Sequence, residues 1–114
     1  MFLPDGYNTH VIDENPSKEP ESGISKIFRC NVTRRGEPIN ILGKSWYRNG
    51  VELDISISAS AKYSQIDDYK LRVKIRDLDK TDTGKYTCVI HNGISTGLHQ
   101  ALELIVKCIS FIIS

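Results

Sequence analysis

The most reactive side chains in this chain are three cysteines (Cys30, Cys88 and Cys108) and three histidines (His10, His91 and His99). Thiols can bridge, act as nucleophiles beside a base, or join imidazoles around a metal. The His and Cys spacings match no common ligand box, so no metal is expected. No strand–turn motif sets up a Ser-His-Asp or Cys-His pair, and no glycine-rich loop would cradle phosphate. The expectation is a protein that is not an enzyme and needs no cofactor. The remaining chemistry is oxidation: Cys30 and Cys88 lie 58 positions apart, with Trp46 between them.

The elements that carry these residues read as strands. Phe28, Cys30 and Val32 alternate with Arg29, Asn31 and Thr33; Leu71, Val73 and Ile75 alternate with Arg72, Lys74 and Arg76. Tyr86, Cys88 and Ile90 alternate with Thr87, Val89 and His91, and Leu102, Leu104 and Val106 with Glu103 and Ile105. A period of two marks half-buried strands. Turn-formers separate these runs, Asn49-Gly50 being a strong hairpin signal. The pattern predicts an all-β antiparallel sandwich of about seven or eight short strands. With 114 residues, 39% hydrophobic and 25% charged, the chain holds one core at most. A net charge of +1 gives no strong field toward nucleic acid or a membrane surface.

Residues 1–20, with Pro4, Pro16 and Pro20, are expected to form an N-terminal segment with a loose edge strand, ahead of a domain over 21–107. The start, MFLPDGYNTH, does not read as a secretory signal. The tail, 108–114, is apolar; the run from 104 is split by Lys107 and falls short of the ~20 residues of a membrane span. These ends suggest a piece of something longer, and leave Cys108 as a free thiol or half of an external bridge.

In a two-sheet sandwich, Cys30 and Cys88 would face each other from opposite sheets with Trp46 packed on them, a closure worth about 4 kcal/mol in the chain-entropy model. Within the stretch LDKTDTGKYTC (78–88), Leu78 is apolar, Asp82 can accept hydrogen bonds and meet a base, Lys62 being the candidate, and Gly84 eases a turn. Tyr86, two residues before Cys88, is placed to turn its hydroxyl back onto backbone. Together, Cys30, Trp46, Leu78, Asp82, Gly84, Tyr86 and Cys88 resemble an immunoglobulin domain of the intermediate, or I-set, type. The resemblance covers roughly residues 5–107. KLRVKIRDLDKTDTGKYTCVIHNG (70–93) followed by LELIVK (102–107) is similar to the immunoglobulin domain of Ror-type receptor tyrosine kinases, although Lys80 breaks the first Thr of that pattern. Lys26 and Lys44 also depart, standing where such domains bury an aliphatic residue; a bulge at Gly43 would throw Lys44 outward.

The resemblance implies a non-catalytic, extracellular recognition module of a cell-surface receptor or adhesion protein, with a protein ligand or co-receptor as partner. A Ror-like parent would place it in Wnt-type signalling. The alternative is an intracellular structural module of a muscle or cytoskeletal protein; retention of both cysteines favours the oxidising setting. Three surface features follow from strand parity. Asn31-Val32-Thr33 is an N-glycosylation sequon, whereas Asn15-Pro16-Ser17 is blocked by proline. Tyr47, Val89, His91 and Ile105 read outward as a protein-binding face. Arg29, Arg72, Lys74 and Arg76 read outward as a stripe that would suit heparan sulfate.

Overall fold

The computed structural model describes residues 3–108. Strands β1 (Asn8–Asp13), β2 (Lys26–Arg34), β3 (Gly43–Arg48), β4 (Val51–Glu52), β5 (Tyr63–Gln65), β6 (Arg72–Ile75), β7 (Gly84–His91), β8 (His99–Gln100) and β9 (Leu102–Leu104) build two sheets. One runs β5-β6-β2-β1-β8 and the other β4-β3-β7-β9. This is a two-sheet, mainly antiparallel immunoglobulin-like sandwich, as the alternation predicts; the short β1–β8 ladder is parallel.

The inward positions pack as one core. Val11, Phe28, Val73 and Ile75 come from one sheet, and Trp46, Tyr86, Ile90 and Leu104 from the other. Phe28 and Tyr86 meet edge-on, with ring centroids 5.3 Å apart. Between the sheets lies the Cys30–Cys88 disulfide, with Cα atoms 5.9 Å apart. Trp46 is the direct ladder partner of Cys88, which sets its indole at the bridge, and its Nε1 donates to the Lys70 carbonyl at 2.9 Å. At Asn49-Gly50, φ values of 50° and 80° provide the two left-handed residues that a tight hairpin from β3 to β4 requires.

A 3₁₀ turn at Lys80–Asp82 ends the crossover into β7. Its Asp82 carboxylate is buried and accepts from the Asp79 N–H at 2.9 Å and from Lys62 Nζ at 2.7 Å. The Tyr86 hydroxyl donates to the Asp82 carbonyl, closing the tyrosine corner. A Cβ on Gly84 would meet the Asn49 carboxamide at 2.8 Å, so that side chain, which accepts from Lys85 N, would have to move aside.

Three expectations are corrected by these contacts. The strand at the N-terminus is not a loose edge: β1 pairs with β2 along its whole length and with β8 on its other side, and Val11 is fully buried. Gly43 makes no bulge, since β3 and β7 pair in continuous register from Gly43↔His91 to Arg48↔Tyr86. Lys44 therefore keeps the inward parity, and its ammonium escapes sideways to lie 5.6 Å from the centroid of the Tyr69 ring. Val32 shares a face with its partner Thr9, yet is 40% exposed. The last bond on the β6 flank of β2 runs from Cys30 N to Leu71 O, so the end of β2 projects beyond its neighbour.

Lys26 does stay at its inward position, only 2% exposed. A buried ammonium needs oxygen partners. The Asp13 carboxylate and the carbonyls of Asn15 and Lys18 each stand 2.7 Å from Nζ, so the chain after β1 wraps around the charge.

Candidate recognition surface

The outward residues expected to form one binding face separate in the structure. Ser45↔Val89 and Tyr47↔Thr87 are cross-strand pairs, so Tyr47 and Val89 are near neighbours on the β3–β7 surface. His91 lies two residues further along, and its Nε2 is 3.0 Å from Ser45 Oγ. Ile105, 56% exposed, follows Leu104, which pairs with Gly84 at the opposite end of β7. At about 3.3 Å per residue it stands roughly 20 Å along the sheet from Val89. Tyr47, Val89 and His91 group together; Ile105 does not join them.

What Val89 and His91 join instead is a cleft of about 400 Å³, with Leu42, Ile94 and His99 among its other walls. Its origin lies in the last connection of the fold. After His91 the chain leaves β7, passes along the N-terminal segment, pairs with β1 as β8, and returns to β7 only at Leu102. Glycine makes this detour possible: a Cβ on Gly97 would meet the Tyr7 carbonyl oxygen at 2.2 Å, and one on Gly6 would meet Gly97 N at 2.6 Å. Polar bonds hold it. Thr9 N donates to Leu98 O at 2.9 Å, Leu98 N to Asn8 Oδ1 at 2.9 Å, and Thr96 Oγ1 to Asp5 Oδ1 at 2.9 Å.

Within the cleft the chemistry is mostly apolar with two imidazoles. Burial pushes the pKa of His99 down, and the neighbouring His91 adds to that effect. Leu42, one of its walls, is 73% exposed, so the cleft presents a large apolar side chain to solvent. Alternation could not identify Leu42, Ile94 or His99, because they lie in or beside irregular connections. Gly97 was the one available signal, as a glycine demanding close backbone approach.

On the other sheet, the basic residues are partly neutralised. Arg29 and Arg72 are direct cross-strand partners on the outer face. The Arg72 guanidinium is held by Glu14 in a two-pronged pair of 2.8 and 2.7 Å. That bond, more than the burial opposing it, lowers the pKa of Glu14, with the charges of Arg72 and Arg29 adding to it. Arg76 is exposed but turns its Nη1 to the Ser60 carbonyl at 2.8 Å. Lys74 is half-buried. The stripe is therefore a mixed-charge face. Among the described residues, no group of three or more His, Cys, Asp or Glu converges on a metal position, and no helix is long and apolar enough to cross a membrane.

The two sheets, the buried bridge with its indole, and the tyrosine corner define the immunoglobulin class of sandwich. A family model described as "Immunoglobulin domain" matches residues 11–92, and the chain belongs to that family. Over 70 residues, 61% of the chain, it is 36% identical to Protein sax-3 of Caenorhabditis elegans, while spanning only 5% of that protein. Among solved structures it resembles the N-terminal Ig1-2 module of the Drosophila receptor protein tyrosine phosphatase DLAR. There the TM-score is 0.56 at 24% identity, over 92% of this chain and 48% of that one. Domain I10 from titin is comparable: TM-score 0.54, 22% identity, 88% of this chain and 99% of that one. At these identities the solved structures share the fold alone.

Proposed function

We propose that this chain is an extracellular, non-catalytic recognition module of the I-set type, from a cell-surface receptor or adhesion protein. Its partner is a protein ligand or co-receptor, engaged at the Tyr47–Val89–His91 surface and the cleft beside it. The extracellular setting rests on one observation above the others, the Cys30–Cys88 bridge sealed in the core, since such bridges persist in oxidising compartments. The choice of face rests on the cleft, where exposed Leu42 stands beside Val89, His91 and His99. A Ror-like receptor tyrosine kinase is the parent that residues 70–93 and 102–107 favour by resemblance. Heparan sulfate is the weaker partner, because Glu14 already holds Arg72.

A structural module inside the cell is the second reading, since the sandwich fold by itself does not decide between the two. The two part on redox state. The test is the intact mass, before and after reduction, of the chain isolated from its native source under thiol trapping. A deficit of two hydrogens that reductant removes is expected; freely alkylated Cys30 and Cys88 would move the chain to the structural class.

A further inference from the structure

We infer that Asn31 carries an N-linked glycan, and that this glycan shields the outer face of the five-stranded sheet beside Arg29. Asn31, Val32 and Thr33 form an acceptor tripeptide within β2. Asn31 has outward parity, and Thr33 falls at the register break where Thr9↔Val32 gives way to Asn8↔Arg34, so it has no ladder partner of its own. Asn31 is half-buried, while Val32 and Thr33 are exposed. One flank of Asn31 is covered by its ladder partner His10. The other is open, because the β6 ladder ends at Arg29↔Arg72 and the last bond on that side goes to Cys30. A bulky group can leave the sheet there without displacing a strand.

Four of the other five asparagines make a useful contrast; Asn40 has no such bond either, but Asn40-Ile41-Leu42 is no acceptor tripeptide. Asn8, Asn15, Asn49 and Asn92 each use the side-chain carboxamide in a hydrogen bond within the fold. Asn15, in the proline-blocked tripeptide, also lends its carbonyl to Lys26. At Asn31 the carboxamide serves no such purpose. In the transfer, Nδ2 of Asn31 forms a bond to the anomeric carbon of an oligosaccharide carried on a lipid pyrophosphate. The pyrophosphate-linked lipid leaves as the anomeric C–O bond breaks, and one amide proton is lost; nothing is oxidised or reduced.

The shielding follows from position. Arg29 stands two residues before Asn31 on the same face, and Ile12, the ladder partner of Arg29, lies next to it. A glycan rooted at Asn31 covers this area and leaves the opposite sheet, with its cleft, uncovered. The inference is independent of which partner that opposite sheet binds.

The test uses the full 114-residue chain, secreted from animal cells behind a cleavable leader. Intact mass should fall by one oligosaccharide on treatment with peptide-N-glycosidase, with Asn31 recovered as Asp in the peptide map. Thr33→Ala should abolish the modification and Thr33→Ser should keep it. Labelling of Arg29 by phenylglyoxal should rise several-fold in Thr33→Ala. A secreted, bridged chain with unmodified Asn31 overturns the proposal, and equal Arg29 labelling overturns the shielding. Should Thr33→Ala not be secreted, translation into microsomes reads the acceptor directly, and absence of a glycosidase-sensitive shift for the parent chain also overturns it.

Discussion

The hydroxyl of Thr9 donates to the carbonyl of Cys88 at 2.6 Å, tying β1 of one sheet to β7 of the other beside the disulfide. Thr9 is 1% exposed and Cys88 2%. The pairing of β7 with β9 runs only from Gly84 to Tyr86, so no β9 residue pairs with Cys88, and a side chain from the opposite sheet supplies the donor. Thr9→Val keeps the shape but leaves a buried carbonyl unsatisfied, which costs about 1–3 kcal/mol. Urea unfolding should show that loss for Thr9→Val and a smaller one for Thr9→Ser. Equal stability of Thr9→Val and the parent would mean water satisfies Cys88.

Removal of the carboxylate beside Lys26 should cost more than removal of the ammonium. Lys26 is sealed, with its side chain 1% exposed, whereas Asp13 is 20% exposed. Asp13→Ala strands a buried charge and is expected to cost roughly 3 kcal/mol. Lys26→Met fills the same volume with an apolar chain and frees Asp13 to reach solvent, so its loss should be clearly smaller. The same unfolding assay decides the order, and the reverse order would count against a charge held by burial.

Stability should fall on the alkaline side through tyrosine. Burial raises the pKa of Tyr86 above its model-peptide value of 10.0, and that of Tyr63 likewise, with the nearby Asp82 adding to both. A group whose folded pKa is raised stabilises the fold fully below the unfolded pKa and loses that contribution as pH rises toward the folded one. Thermal unfolding midpoints should therefore decline above about pH 10. Tyr86→Phe should remove part of that slope, while losing about 1–3 kcal/mol at neutral pH by leaving the Asp82 carbonyl without its donor.

The acid side runs through Glu14 and His99, whose pKa values are both lowered in the fold. Depressed groups stabilise above the unfolded pKa and stop doing so as pH falls, so His99 should weaken the fold below about pH 6.5 and Glu14 below about pH 4.5. His99→Asn should flatten the first of these phases in a pH series of unfolding midpoints. An unchanged profile would place His99 in solvent.

Binding should respond to the cleft and not to the far end of the sheet. Leu42→Asp and Val89→Asp put charge into an apolar contact and are expected to weaken attachment to cells that display the ligand or co-receptor by at least tenfold, about 1.4 kcal/mol. Ile105→Asp should leave it unchanged. Circular dichroism of each variant separates lost binding from lost fold.

Much of this architecture is legible along the chain because period-two patterning and turn chemistry act locally. Phe28, Cys30, Val73, Ile75, Tyr86 and Cys88 all face inward as alternation requires. Asn49-Gly50 turns where its left-handed preference says it should. Lys26 and Lys44 show the limit. Both keep inward parity, but one is caged by oxygens from a connection and the other slides out to an aromatic ring, and no local rule distinguishes these outcomes.

The sequence by itself determined the strands β2, β6, β7 and β9, the facing cysteines and the Asp82–Tyr86 corner, since each depends on residues within a few positions or on strand parity. Only the tertiary structure decided that β1 is an inner strand, that Ile105 stands apart from Val89, and that a cleft opens beside His91. Those results depend on where the segment from Asn92 to Ala101 travels between strands. That path is set by contacts across some 90 positions, such as Thr96 with Asp5 and Leu98 with Asn8, which side-chain periodicity does not encode.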